Sequence, residues 1–115
     1  MVRAGALSVV FGGGRRAVLR VERDGILVEE LLLLRVRRRI VAVVNQCPHM
    51  GRPLDDARLR GHVLTCRGHG RSYSARTGRV AGTLRVGGPP RLRRAAAWVE
   101  DDQVFVDLGE VEPLG

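Results

Sequence analysis

Short apolar runs separated by turn residues recur along the whole chain. Seven of these runs have the length and the β-branched content of strands, at residues 7–11, 17–22, 26–34, 40–45, 62–66, 95–99 and 104–108. Residues that favour turns lie between these runs, at residues 12–14, 24–25, 76–78 and 101–102. The last two runs predict a hairpin. No stretch keeps a helical period over about 11 residues, so the pattern predicts an all-β protein, either a barrel or a sandwich.

The length and the charge narrow the class of protein. With 115 residues, the chain fits one domain, residues 1–115. Its 20 basic residues are all arginine and give a net charge of +8, which predicts an anionic partner. Aromatic residues make up only 3%, too few for the stacking surfaces of a nucleic-acid-binding protein. No apolar run approaches the ~20 residues of a membrane span and no leader peptide is evident, so we expect a cytoplasmic protein without a membrane or nucleic-acid partner.

One segment departs from the strand pattern. Residues 46–82 are rich in glycine and arginine and contain both cysteines and all three histidines. Four of these residues form the pattern C-x-H-x16-C-x2-H, namely Cys47, His49, Cys66 and His69. Thiolate and imidazole are ligands of transition metals, so the pattern predicts a metal site built from two short loops. Zinc is one candidate, although zinc sites usually pair like ligands at other spacings.

The flanks of these four residues resemble the Rieske [2Fe–2S] domain. Residues 45–54 (NQCPHMGRPL) are similar to the first cluster-binding loop of that family, residues 66–73 (CRGHGRSY) to the second, and residues 87–90 (GGPP) to a loop that covers the cluster. The resemblance implies a Rieske-like β-sandwich or barrel with a small inserted cluster-binding subdomain of two loops, at about residues 45–82. It also implies that Cys47 and Cys66 bind one iron of a [2Fe–2S] cluster and that His49 and His69 bind the other.

The resemblance further implies supporting roles around the cluster. Tyr73 matches a tyrosine that acts as a hydroxyl donor, whereas Arg71 stands where many members have a second donor, a serine. The chain has only two cysteines, so it cannot form the disulfide of high-potential members. We therefore expect a reduction potential in the lower part of the Rieske range of about −150 to +300 mV. The other residues expected next to the cluster are Met50, Gly51, Gly68, Gly70 and Pro89.

By this resemblance the chain is an electron-transfer component and not an enzyme. A Rieske-type ferredoxin carries single electrons from an NAD(P)H-dependent flavoprotein reductase to a terminal oxygenase, of the ring-hydroxylating dioxygenase type. An alternative is the small Rieske-like subunit of an assimilatory nitrite reductase. A zinc-binding or a nucleic-acid-binding module is a more remote alternative. His62 is the only histidine outside the motifs and is assigned no role.

The cluster loops are expected to be basic. Residues 45–82 contain seven arginines against two aspartates, a net charge of +5 out of the total of +8. The family exposes the outer edges of its histidine ligands at this end of the domain. A basic tip therefore implies an acidic docking surface on the redox partner.

Overall fold

The computed structural model describes residues 1–37, 39–48, 53–67, 71–79 and 91–110. These residues form nine strands, one short helix and a final 3₁₀ turn at Leu108–Glu110. The order is β1 (Val2–Ala6), α1 (Leu7–Phe11), β2 (Arg16–Arg23), β3 (Ile26–Val36), β4 (Arg39–Val44), β5 (Arg58–Arg60), β6 (Val63–Thr65), β7 (Ser72–Ser74), β8 (Arg94–Glu100) and β9 (Gln103–Asp107). The prediction of an all-β protein is confirmed.

The strands form two antiparallel sheets. The larger sheet has the order β1-β9-β8-β4-β3-β2, and the smaller has the order β5-β6-β7. In the middle of the larger sheet, β4 and β8 pair only at Ala42↔Ala95 and Val43↔Arg94. The smaller sheet lies within the segment that is predicted to bind the cluster. The assignment of residues 1–115 to one domain with a subdomain at about 45–82 stays a prediction.

Strand β3 accounts for the unbroken run of four leucines. Leu32 and Leu34 pack in a first hydrophobic cluster, which contains both cysteines. Leu31 and Leu33 pack in a second hydrophobic cluster, which includes Val104 of β9. All four leucines are fully buried. A strand with both faces buried needs apolar residues at consecutive positions rather than at alternate ones.

Two hairpins use two-residue turns. Asp24 and Gly25 join β2 to β3 with φ of 54° and 78°. Asp101 and Asp102 join β8 to β9 with φ of 48° and 62°. Positive φ at both central residues is typical of the type I′ turn, whose twist matches that of antiparallel strands. The predicted hairpin of residues 95–99 and 104–108 is confirmed by the β8–β9 pairing.

The expectation of a strand at residues 7–11 is wrong. The segment is the single helical turn α1, which ends where the Gly12 N–H donates to the Ser8 carbonyl at 2.9 Å. Its β-branched content favours a strand, but a helical turn places Leu7, Val10 and Phe11 on one side. All three pack in the second hydrophobic cluster. Tertiary packing therefore decides against the local preference.

Three strands were not predicted by the apolar pattern. Strands β5 and β7 have only three residues each and lie in a segment with the composition of a loop. Strand β1 is an edge strand that pairs with β9 across an irregularity at Arg3 and Gly5. Among the described residues, no helix is long and apolar enough to cross a membrane.

Candidate metal centre

The two cysteines lie at the ends of two buried strands. Cys47 follows the end of β4 by three residues, and Cys66 directly follows β6. Each is 1% exposed, and both pack in the first hydrophobic cluster together with Tyr73. Neither forms a disulfide. Two loops thus bring two potential ligands to one place that is shielded from water.

Asn45 connects the two ends of the first loop. Its amide donates to Glu30 Oε1 at 2.8 Å and to Asp55 Oδ1 at 3.3 Å, and its Oδ1 accepts the Leu54 N–H at 2.6 Å. Its own N–H donates to the Glu30 carbonyl at 2.9 Å. Residues 45 and 54 flank the loop that contains Cys47. These bonds therefore fix where the loop leaves the larger sheet and where it returns to the core.

Main-chain and hydroxyl contacts close the second loop. The Cys66 N–H donates to the Arg71 carbonyl at 2.9 Å. Next to this bond, Thr65 pairs with Ser72 in the β6–β7 ladder, and their hydroxyl oxygens lie 2.7 Å apart. Cys66 is therefore held at the start of the loop that joins β6 to β7.

Arginine side chains join the loops to each other and to the sheet. Arg67 Nε, in the second loop, donates to the Asp56 carbonyl at 2.5 Å. Arg16 Nη1, in β2, donates to the carbonyls of Asp55 at 2.8 Å and Ala57 at 2.6 Å. Both guanidinium groups satisfy main-chain acceptors in the segment after the first loop. Part of the arginine excess in this region is therefore structural.

The hydroxyl of Tyr73 is a buried donor beside the cysteines. Tyr73 is fully buried, and among the described residues its hydroxyl has no hydrogen-bond partner of ordinary geometry. Burial raises its pKa to about 12; Cys47 and Cys66 add to the increase, and Arg71 opposes it. The effect of both cysteines on this pKa shows that the hydroxyl lies on the cysteine side of the site. The hydroxyl keeps its proton at neutral pH and remains available as a donor.

Several predicted site residues lie outside the described residues: His49, Met50, Gly51, Gly68, His69, Gly70 and Pro89. His62, to which no role was assigned, precedes β6 and lies at the opposite end of that strand from Cys66. Its Nδ1 is 3.1 Å from Ser74 Oγ, which gives it a structural contact. Asn45 was missed by sequence reasoning, because an asparagine after a strand has the composition of an ordinary turn.

Comparison with known proteins agrees with this geometry. The sequence model of the Rieske [2Fe-2S] domain matches residues 5–88. A chain of the complex of reduced oxygenase and oxidised ferredoxin in carbazole 1,9a-dioxygenase has a TM-score of 0.70 and 24% identity, over 92% of this chain and 100% of that chain. Sphingomonas yanoikuyae B1 ferredoxin has a TM-score of 0.68 and 20% identity, over 92% of this chain and 96% of its own. The ferredoxin of carbazole 1,9a-dioxygenase from Nocardioides aromaticivorans IC177 has a TM-score of 0.69 and 20% identity, over 91% and 94%. No curated protein sequence matches this chain.

The all-β fold, with Cys47 and Cys66 packed in one buried cluster beside Tyr73, agrees with these comparisons. This chain belongs to the Rieske [2Fe-2S] domain family, and the family implies that it carries a [2Fe–2S] cluster. The described residues fit that group. Cys47 and Cys66 supply two buried thiols that are not in a disulfide, and Tyr73 supplies a buried hydroxyl that has no acceptor of ordinary geometry among the described residues.

Proposed function

We propose that this chain is a Rieske-type ferredoxin, which passes single electrons from an NAD(P)H-dependent flavoprotein reductase to a terminal oxygenase of the ring-hydroxylating type. It catalyses no bond chemistry of its own. Cys47 and Cys66 hold one iron of the cluster, and His49 and His69 hold the other. The observation that carries the proposal is that the cysteines of both loops pack in one buried cluster beside Tyr73, in a chain of the Rieske family.

The extent of the structural likeness supports a free-standing carrier. The matches to the two ferredoxins cover more than nine-tenths of both chains in each pair. The match to a complex of an oxygenase with a ferredoxin supports an oxygenase as the electron acceptor. A flavoprotein is the expected donor. NAD(P)H releases two electrons together as a hydride, and a flavin can pass them on one at a time to a one-electron carrier. The two thiols, which form no disulfide, fit the reducing cytoplasm, where we place this system.

When bound, the [2Fe–2S] cluster accepts and releases one electron at a time. The residues of the chain set the conditions for this chemistry. Two thiolate and two neutral imidazole ligands carry two fewer negative charges than four thiolates, which favours the uptake of an electron. The Tyr73 hydroxyl, directed to the cysteine side, stabilises added negative charge there. Packing around Cys47 and Cys66 excludes water, and Asn45 holds the first loop in place.

Substitution of the ligands tests the site. Cys47→Ser or Cys66→Ser should abolish the cluster, measured as iron and acid-labile sulfide and as the rhombic EPR signal of low average g after dithionite reduction. His49→Cys adds a thiolate, so any cluster that survives should have a lower potential. His62→Cys is the matched control and should leave the EPR signal and the potential unchanged. Wild-type protein that binds zinc, and gives no such signal when made with adequate iron, would overturn the proposal.

The partners are tested separately from the cluster. A flavoprotein reductase with NAD(P)H should reduce the holoprotein, and the reduced holoprotein should then reduce the terminal oxygenase that co-purifies with it from the native source. Stable co-purification with a nitrite reductase instead would keep the cluster assignment and replace the acceptor. A holoprotein that neither the reductase reduces nor the oxygenase oxidises would contradict the carrier role.

A further inference from the structure

Strands β4 and β8 pair at one end and separate at the other. Their ladder consists of Ala42↔Ala95 and Val43↔Arg94. On the side of Ala42 away from Cys47, the two strands line a groove of about 970 Å³. The groove thus lies in the middle of the larger sheet, at a fork between two of its strands.

Among the described residues, the fork leaves two strand edges without a neighbour on the groove side. Residues 39–41 of β4 pair with β3 on their other side, and residues 97–100 of β8 pair with β9 on theirs. Within the described part of the chain, the β4–β8 ladder does not extend to either segment. Such edges present main-chain N–H and C=O groups that an added strand can pair with.

The groove has an apolar floor and a basic rim. Its floor consists of aliphatic residues of β3, β4 and β8 together with Trp98. Its rim contains four arginines and a histidine, and no acidic residue among the described residues that line it: Arg37, Arg39, Arg76, Arg94 and His62. The guanidinium groups of Arg37 and Arg39 are exposed and make no ion pair with any described residue. The rim therefore favours an anionic ligand, and the floor favours one with an apolar side.

We propose that this groove binds an extended acidic segment of a partner protein. The main chain of the segment pairs with the open edge of β4 or β8, and its alternate apolar side chains pack on the floor beside Trp98. Its carboxylates, which point the other way, pair with Arg37, Arg39 and Arg76. A small organic anion could contact the rim and the floor, but it would leave the strand edges unpaired. An extended peptide contacts all three features and is therefore the better fit to the groove.

The position of the groove separates it from the metal centre. Strand β4 runs from Arg39, at the groove, toward Cys47, and its six residues span about 17 Å. A segment bound in the groove therefore leaves the cluster loops free. The bound segment holds the chain to its partner while the cluster end contacts a second surface. This tethering raises the effective concentration of the cluster end at that surface. The inference does not depend on the electron-carrier role.

The test uses the full-length oxidised holoprotein, labelled with ¹⁵N. The probe is a synthetic peptide of about seven residues in which glutamate and valine alternate, and the comparison peptide alternates lysine and valine. The indole N–H of Trp98, the only tryptophan of the chain, reports binding together with the amides of Ile40, Val41 and Ala97. We expect the glutamate peptide to shift these signals and the lysine peptide to leave them unchanged.

Charge reversal on the rim provides the matched comparison. The double variant Arg39→Glu, Arg76→Glu should weaken binding of the glutamate peptide by about tenfold or more. The control is Arg23→Glu, an exposed arginine at the other end of the β2–β3 hairpin, which should change the affinity by less than about threefold. Equal affinity of the double variant and the wild type would overturn the proposal. Groove signals that respond to benzoate but not to the peptide would also overturn it, because they identify a small-anion pocket. Signals that change with protein concentration alone would overturn it as well, because they identify a self-association surface.

Discussion

Asn45 and Tyr73 are buried polar residues beside the cysteines, and neither is a ligand. The amide of Asn45 donates twice and accepts once, so its bonding capacity is directed at the ends of the first loop. The Tyr73 hydroxyl has no such partner among the described residues. Asn45 therefore affects the position and stability of the loop, whereas Tyr73 affects the charge that the cysteine side can hold. Measurements of stability and of potential separate the two.

Asn45→Asp should destabilise the protein with almost no change in side-chain size. The new carboxylate loses both N–H donors and faces the carboxylates of Glu30 and Asp55, to which Asn45 donates. We expect the free energy of unfolding to fall by about 2–4 kcal/mol. Thermal unfolding and the visible circular dichroism of the holoprotein measure the loss of fold and cluster. Gln46→Glu, the same change on an exposed neighbour, should cost less than about 0.5 kcal/mol; a similar effect of both variants would argue against a specific role for Asn45.

Tyr73→Phe should lower the reduction potential. The wild-type potential is expected in the lower part of the range of about −150 to +300 mV. Loss of one hydrogen bond worth about 1.4 kcal/mol in the reduced state corresponds to about 60 mV for one electron. Protein-film voltammetry measures both values. Ser74→Ala is the control, since it removes a hydroxyl from the same strand that contacts His62 instead. An unchanged potential in Tyr73→Phe would show that the hydroxyl does not reach the cluster.

The residues of the site differ in how far the sequence predicts them. Cys47 and Cys66 are predicted from chemistry and spacing, because few residue types bind transition metals. Tyr73 is predicted only through the resemblance to the Rieske family. Asn45 is not predicted at all, since its role depends on two residues that are not its neighbours in the sequence. Glu30 lies in β3, and Leu54 lies on the other side of the first loop. Tertiary contacts of this kind leave no local pattern.

Among the elements, strands with long apolar runs are predicted best. The predicted bounds of β2, β3, β4, β6, β8 and β9 differ from the structure by two residues or fewer at each end. The error at α1 and the omission of β5 and β7 have one cause. Each is a short element whose conformation is set by what it packs or pairs with, and five or three residues carry too little periodicity to outweigh that.

Gly78→Ala should destabilise the contact between two elements near the site. Gly78 has a φ of +79°, and an added Cβ would lie 2.6 Å from the Leu92 carbonyl oxygen. Its carbonyl accepts the Leu92 N–H at 2.8 Å, which joins the turn after β7 to the segment before β8. Strain and overlap together should cost about 2–3 kcal/mol, or roughly 10 °C in melting temperature.

Gly61→Ala separates the two contributions to that loss. Gly61 also has a positive φ, +62°, but an added Cβ would meet nothing within 4 Å. Its substitution should therefore cost only the backbone term of about 1–2 kcal/mol. Calorimetry of both variants gives the difference. Equal losses would mean that the Leu92 segment moves away at no cost.

Across the whole molecule, positive charge is concentrated at two places. One is the cluster-binding segment, with a net charge of +5 over residues 45–82. The other is the groove between β4 and β8, whose rim adds Arg37 and Arg39 to Arg76 of that segment. In the first region Arg67 has a structural role, since it binds a main-chain carbonyl there, as does Arg16 from β2. The role of the remaining charge in docking is a matter of rates, because exposed charges accelerate encounter more than they strengthen binding.

Electron transfer to the oxygenase should therefore depend steeply on salt. In stopped flow with the reduced holoprotein, the second-order rate constant should fall by about tenfold or more between roughly 0.01 and 1 M salt, as the Debye length shrinks from about 30 to 3 Å. Arg52→Glu and Arg71→Glu should slow the reaction at low salt and approach the wild type at high salt. Arg23→Glu changes the net charge equally at an exposed site in the β2–β3 hairpin, outside the cluster-binding segment, so it should retain most of the wild-type rate. If the rate constant does not change with salt or with any of the three substitutions, the basic loops do not steer the partner. Their exposed arginines are then simply hydrated by water.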